Sequence, residues 1–571
     1  MLFGDLADDL RGQTIAGSPW ARLLVSAEPR RVPAGDWLFH QGEPADSLYV
    51  VISGSLEVVA ERPAPEEVLR LLPRGELVGE VALLTESVRS AGVRARRDTS
   101  LMRVTRDSFE RLLREDADFT LAVTRHLGGL LGAARPGTLP PAAPPRVISL
   151  VGLGRGIDVA GFAERLVGAL RGFGSVDALR EEDGSSDEGH GRLLDRCERQ
   201  HERVVIVAGG GGAWTDFAIR TADRKVALAD PSVAPDAAPD PRLRGCELVL
   251  VTTSTRPRAL AAWVEALDPR TVHLVRDEQA LERIARRLAG RSVGIVLSGG
   301  GARGLAHVGV VAELLNAGVT IDRFGGTSMG AYIAATFASG CSPDEVAARC
   351  REEFVERNPM NDYTLPFYSV LRSAKARQMI ARGFGSTRIE ELPLEFFCLS
   401  CDLVDASPVI HRRGSVAGAL GATMCLPAIF APIPSEGRLL VDGGVLDNLP
   451  VGEMAGRGEG PVIGVDVSAR FTPAKAPTGR GRRRTRMTGR ARAALTGSSA
   501  ASVPNIKETV MRSMVLGSVD PAGARERGAD LVITPDTGGI PLTAWSGIDE
   551  LVAAGREAGR RSARDALALL D

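Results

Sequence analysis

Val293-Gly294-Ile295-Val296-Leu297-Ser298-Gly299-Gly300-Gly301-Ala302-Arg303-Gly304 reads as an apolar strand running into a glycine loop. An apolar helix follows, carrying Leu305, Val308, Val311, Leu314 and Leu315. Gly299-x-Gly301-x-x-Gly304 formally satisfies a dinucleotide fingerprint, and Asp322 lies at a distance suited to a ribose. The next strand-turn-helix changes that reading. Gly325-Gly326-Thr327-Ser328-Met329-Gly330 leads into Ala331-Tyr332-Ile333-Ala334-Ala335, a G-x-S-x-G elbow. Gly326 and Gly330 let strand and helix pass closely, and Ser328 is thrust into a strained, exposed turn. A serine that attacks an acyl carbon needs donors for the developing oxyanion, and the amides of Gly300, Gly301 and Ala302 at a helix start supply them. The two glycine motifs therefore read as halves of one acyl-transfer site on alternating strands and helices.

The serine also needs a base. His411 is the only histidine after Ser328, and the acids near it, Asp402 and Asp405, lie nine and six residues away. That is a short span for an acid and a histidine on separate loops. The other candidate is Asp442 in Val441-Asp442-Gly443-Gly444, at the end of the apolar run Leu439-Leu440-Val441. A carboxylate in a partly dry pocket has its pKa raised and can take the Ser328 proton directly. No His/carboxylate cluster has metal-ligand spacing, so no metal is expected.

GGGARG, GTSMG and DGG together resemble the patatin-like phospholipase family. Further likenesses are Cys401-Asp402-Leu403, the Leu426 to Pro432 run, and Asn448-Leu449-Pro450. The resemblance covers about residues 291–560. It implies an α/β three-layer domain with Ser328 as nucleophile and Asp442 as base. Gly299, Gly300, Gly301, Ala302, Arg303 and Gly304 become the oxyanion loop, with Arg303 orienting it or meeting a phosphate. Gly444 stands where many members have Ala.

From residue 20 to 104 the text is short β-like runs: Asp36 to Phe39, Ser47 to Ile52 and Ser55 to Val59, punctuated by Gly35, Gly42 and Gly54. That pattern predicts a small barrel, followed by a helix capped at Thr105 or Asp107. Gly79-Glu80-Val81-Ala82-Leu83-Leu84 and then Val88-Arg89-Ser90-Ala91 place a carboxylate nine residues before a guanidinium. A short helix start plus Arg suits a phosphodiester, and Glu80 suits a ribose 2′-hydroxyl. This segment resembles the phosphate-binding cassette of cyclic-nucleotide-binding domains. The likeness implies a nucleotide site at Gly79, Glu80, Ala82, Arg89 and Ser90, with cyclic AMP or cyclic GMP as regulatory ligand. Val88 stands where the family often has Pro, and Glu86 adds an acid near the anion site.

The expected organisation is a cyclic-nucleotide-binding-like domain with flanking helices at 1–133, a Pro-rich linker at 134–145, an α/β layered spacer at 146–290 and the patatin-like domain at 291–571. The full arrangement is similar to bacterial relatives of neuropathy target esterase. In the spacer, Gly152 to Gly156 and Gly209 to Gly212 follow strands, but neither carries the Lys-Ser/Thr of a phosphate-gripping loop. They read as tight turns, and Trp214 and Trp263 as core or interface aromatics.

The 571 residues carry 70 Lys+Arg against 71 Asp+Glu, a net charge of −1, which argues against a dedicated nucleic-acid binder. That balance conceals a segment, Arg470 to Arg492, with nine basic residues and no acid, so the rest of the chain is acidic. Such a block reads as a solvated insertion or as a contact for anionic membrane headgroups. Seven cysteines without a regular framework fit a reducing compartment, and Cys398 and Cys401 fit buried thiols. The acidic N-terminus shows no signal peptide, so a cytoplasmic or peripherally membrane-associated protein is expected. The residues thus point to a serine esterase acting on phospholipids or lysophospholipids. The alternative is a cyclic-nucleotide-responsive binding protein with a catalytically silent hydrolase domain. Acyl-chain, headgroup and positional selectivity and oligomeric state are not written in these residues.

Overall fold

Ser47–Ser53 is buried on both sides: Leu48, Val50 and Ile52 enter one apolar cluster, Tyr49 and Val51 another. That explains its unbroken apolar run. It is a central strand of the N-terminal barrel in the computed structural model, which describes Leu23 and residues 27–570. Left out are 62–66, 134–143, 184–186, 236–237, 366–368, 469–520 and single positions 73, 86, 155, 210, 253, 255 and 538. The Pro-rich linker through residue 143, Glu86 and the basic segment 470–492 therefore lie outside the described residues. The chain divides into two compact units, residues 1–290 with 456–459, and residues 291–455 with 460–571.

In the first unit, two four-stranded antiparallel sheets form the barrel. One holds Glu28–Val32, Thr99–Thr105, Ser47–Ser53 and Leu77–Val78; the other holds Trp37–Phe39, Gly92–Ala95, Leu56–Ala60 and Glu67–Leu72. The helix Arg106–Glu115 follows, and the Thr105 side chain caps it by accepting from the Ser108 amide. A six-stranded parallel sheet comes next, in the order Val176–Leu179, Arg203–Ala208, Val147–Leu153, Arg224–Ala229, Glu247–Val251, Thr271–Val275. Its strands are covered on both faces, as their continuous apolar sequences require. Trp214 and Trp263 are buried in it, their indole N–H groups donating to the carbonyls of Val207 and of Asp230 and Val233. Arg97 joins barrel to sheet: buried, it donates to Glu198 at 2.9 Å and lies 3.0 Å from Asp223.

The second unit is an eight-stranded sheet. Its strands are β1 (Gly294–Leu297), β2 (Arg323–Gly326), β3 (Glu395–Asp402), β4 (Ser407–His411), β5 (Ile433–Ser435), β6 (Arg438–Asp442), β7 (Val462–Val465) and β8 (Leu531–Ile533). They run in the order β5-β6-β3-β2-β1-β7-β8, with β4 on the other edge of β3. One face carries α1 (Ala306–Asn316), α2 (Ser328–Ala338), α3 (Val416–Thr423) and α4 (Ile548–Leu567) over a large apolar cluster. The other face buries a smaller one with Val296, Phe397 and Leu449. Two sheet faces, both covered, make the three layers expected of this domain.

One feature of register sets up the site. Along β3, parallel pairing with β2 ends at Gly326↔Cys398, and antiparallel pairing with β6 covers Ser400↔Asp442 to Asp402↔Leu440. Because β4 spans the opposite edge from Cys398 to Asp402, β2 and β6 share one edge of β3 and meet nearly end to end. Two residues of strand, about 7 Å, thus separate the levels at which the serine strand stops and the aspartate strand arrives.

Candidate active site

Ser328 sits at φ 54°, in the left-handed region that non-glycine residues enter at a cost, between β2 and α2. The elbow is tight. A Cβ at Gly326 would lie 2.6 Å from the Leu297 carbonyl oxygen, and one at Gly330 only 2.2 Å from it. The Ser328 amide donates to Thr423 Oγ1 at 3.0 Å, and that hydroxyl donates in turn to the Leu399 carbonyl. The serine is thereby held from α3 as well as from its own turn.

Asp442 ends β6 with 2 % of its surface exposed. Its Oδ1 accepts from the Gly444 amide at 2.9 Å, and its Oδ2 is buried without a completed hydrogen bond. Burial pushes the carboxyl up to about 7, and the Ser328 hydroxyl and the Gly444 amide pull the other way. Desolvation wins because one completed hydrogen bond and a nearby hydroxyl do not replace the solvation of a buried charge. A carboxylate with one free oxygen facing a serine and titrating near neutrality can accept a proton from it.

His411 is elsewhere engaged: its Nε2 lies 2.7 Å from Ser400 Oγ. Burial and the nearby Arg438 push its pKa down to about 4. Asp402 accepts from the amides of Val404 and Leu439.

The glycine loop lies against Ser328 and Asn448. A Cβ on Gly299 would come within 3.1 Å of Ser328 Cβ and 2.5 Å of Asn448 Oδ1. The Asn448 carboxamide donates to the Gly299 carbonyl at 3.1 Å, and the Asn448 backbone carbonyl accepts from the Gly299 amide at 3.3 Å. Asn448, 2 % exposed, is thus a loop-holding residue to which the sequence assigned no role. Its place soon after DGG was the available signal. One expectation is corrected: the Ala302 amide does not face the site. It donates to the Leu542 carbonyl at 2.8 Å, because the tight turn Gly301–Leu305 directs that N–H outward to the 540–542 segment. Arg303 is buried and its Nε donates to the Ile540 carbonyl at 2.7 Å, so it ties the same turn to the same segment. Gly300 and Gly301 remain at the bend of the loop. Cys398 and Cys401 are buried free thiols three residues apart on a strand, hence on opposite faces.

In the barrel, Gly79 adopts φ 89° and starts the short helix Glu80–Leu84; Glu80, Ala82 and Arg89 are buried, and Ser90 is exposed. The Arg89 guanidinium donates to the carbonyls of Gly79 at 3.1 Å and Ser47 at 2.7 Å and lies 4.1 Å over the Phe39 ring. Burial lowers its pKa against the opposing charge of Asp46, Glu43 and Glu80. Val88, at the departing position, is 53 % exposed. Among the described residues no helix is long and apolar enough to cross a membrane, and no group of three or more His, Cys, Asp or Glu is placed to hold a metal ion.

Residues 295–455 match the family model of patatin-like phospholipases, and residues 29–116 match that of the cyclic nucleotide-binding domain. Fold and site therefore define a hydrolase of the patatin-like phospholipase type carrying a cyclic nucleotide-binding domain. Uncharacterized NTE family proteins of Mycobacterium tuberculosis and Mycobacterium bovis are 37% identical over 555 residues, covering 94% of this chain and 92% of each relative. The chain belongs to the NTE family. It is also similar to a protein named lysophospholipase nte1 in Aspergillus terreus, 28% identical over 77% of this chain and 35% of that relative. The sensor domain of the transcriptional regulator DNR from Pseudomonas aeruginosa, a solved structure, covers 23% of this chain at 23% identity, with a TM-score of 0.21 and 92% of its own length matched.

Proposed function

We propose that the chain is a serine esterase that hydrolyses acyl esters of phospholipids or lysophospholipids through a Ser328–Asp442 dyad. The observation that carries this is Asp442, buried, raised to about 7 and presenting a free oxygen beside a strained serine. Ser328 Oγ attacks the acyl carbon as its proton passes to Asp442 Oδ2. The negative charge that develops on the carbonyl oxygen is met by the amides of Gly300 and Gly301. Collapse expels the alcohol, the lysophospholipid or glycerophospho fragment, which takes the proton from Asp442 and leaves an acyl-Ser328 ester. Water then attacks that ester, giving its proton to Asp442, and the fatty acid departs as Ser328 recovers a proton. Val445 and Leu446, exposed directly after the DGG turn, suit an apolar acyl substrate. So does the name of the Aspergillus terreus relative.

The barrel is assigned to a regulatory cyclic nucleotide, with Arg89 turning its fork from the Gly79 and Ser47 carbonyls to the phosphodiester and Glu80 meeting the ribose. The segment 470–492 is assigned to anionic headgroups. Treatment with a fluorophosphonate followed by peptide mass mapping tests the dyad: the adduct is expected on Ser328 and absent from Ser328→Ala. An unlabelled wild-type serine would leave a silent hydrolase domain. Calorimetric titration with cyclic AMP and cyclic GMP tests the barrel, and no saturable heat with either would remove the regulatory ligand.

A further inference from the structure

Across three neighbouring strands, His411 of β4, Ser400 of β3 and Asp442 of β6 share the face of the sheet that α2 and α3 cover, with Asp442 directly opposite Ser400 and His411 diagonal to it. Ser400 and Asp442 are register partners. The Leu403 amide donates to the Leu439 carbonyl, and the Asp442 amide turns away to the Cys425 carbonyl at 2.8 Å. By alternation, Ser400 and Asp442 form a non-hydrogen-bonded pair, the kind in which facing side chains come closest. Ser400 is fully buried, and its hydroxyl lies 2.7 Å from His411 Nε2. Burial keeps the ring neutral at working pH, and in its Nδ1–H tautomer Nε2 accepts the Ser400 proton.

We propose that His411 is a positioning residue that keeps Asp442 a strong base, because it holds the Ser400 proton away from the Asp442 carboxylate. This rests on the dyad reading above. A hydroxyl donating to a carboxylate stabilises its charged form and weakens it as a base. With the proton committed to His411, Asp442 Oδ2 is left for Ser328. The other groups near Asp442 are the Gly444 amide and the thiols of Cys401 and Cys425, which burial keeps protonated. Near His411 are Arg438 and, opposite it on β3, Cys398.

The test is the pH profile of kcat/KM of the full chain with p-nitrophenyl butyrate, with active protein counted by fluorophosphonate labelling. His411→Leu frees the Ser400 proton, so the acid limb is expected to move down by about one pH unit and the plateau to fall about tenfold. Ser400→Ala added to His411→Leu removes the donor and returns the limb to its original position. His411→Gln, whose Oε1 can accept, keeps it there, as does Ser400→Ala alone. An unmoved limb in His411→Leu overturns the proposal. So does a shift that persists in the double variant, and if His411→Leu does not fold, a downward shift in Ser400→Ala alone does the same. Asp442→Asn separates the two claims: an acid limb that survives it refutes the dyad itself, whereas loss of activity there with an unmoved limb in His411→Leu refutes only the role of His411.

Discussion

Asp442→Asn should abolish turnover and at the same time stabilise the catalytic domain above neutral pH. An ordinary aspartate titrates near 3.8, and burial carries Asp442 to about 7. That difference corresponds to roughly 4 kcal/mol held against the ionised folded state. The folded-state pKa is raised above the unfolded value, so this group's contribution is fully present below about pH 3.8 and is lost as pH rises to about 7. Asn carries no charge and keeps the full contribution at every pH. The variant should therefore match the wild type near pH 4 and exceed it by a few kcal/mol at pH 8. The same titration sets the activity of the wild type. Because the base must be ionised, kcat/KM should fall about tenfold at pH 6 and about a hundredfold at pH 5 relative to its plateau. The assays are urea-dependent hydrogen exchange of peptides covering Arg438–Asp442, for stability, and hydrolysis of a soluble ester from pH 4 to 9, for activity. An acid limb near pH 4, or an Asn variant no more stable than the wild type at pH 8, would refute the reasoning.

Three further outcomes follow from contacts around the site and in the first unit. A Cβ on Gly443 would lie 2.2 Å from the Leu399 carbonyl oxygen, whereas on Gly444 the nearest atom is Asn448 Oδ1 at 3.0 Å. Gly443→Ala should therefore destroy activity and Gly444→Ala retain most of it, as hydrolysis rates of the two variants would show. Asn448→Ala removes the carboxamide bond to the Gly299 carbonyl, leaving only the backbone bond between the two residues, and should lower kcat about tenfold with little change in KM, as steady-state kinetics would read. Arg97→Ala removes the guanidinium that buried Glu198 and half-buried Asp223 share and should destabilise the first unit by about 3–5 kcal/mol, measured by denaturant-dependent hydrogen exchange.

Much of the architecture is local and so is legible in the chain. The unbroken apolar run of Ser47–Ser53 signals a strand buried on two faces, and the strand-glycine-helix junctions at Gly299 and Gly326 announce the serine site because only small residues permit those approaches. Patterning also placed Asp442 at a strand end. What it could not supply is partnership across long sequence distances. Nothing near Thr423 shows that its hydroxyl takes the Ser328 amide 95 residues away, and nothing in Asn448 shows that it clasps Gly299. The amides of the glycine loop look equivalent in sequence, yet Ala302 is committed to Leu542 because the turn directs it there. Glu459 stands between two glycines, Gly458 and Gly460. It is buried in the first unit with Arg287 at 2.7 Å and Arg457 at 3.1 Å, a charge whose burial only its neighbours explain.

The most direct measurement is fatty acid release from lysophosphatidylcholine by the full chain, compared among wild type, Ser328→Ala and Asp442→Asn. The account predicts steady release by the wild type, with an acyl-Ser328 ester trapped on acid quenching, and neither product above the uncatalysed rate in the two variants. Equal release by Asp442→Asn and the wild type would contradict it.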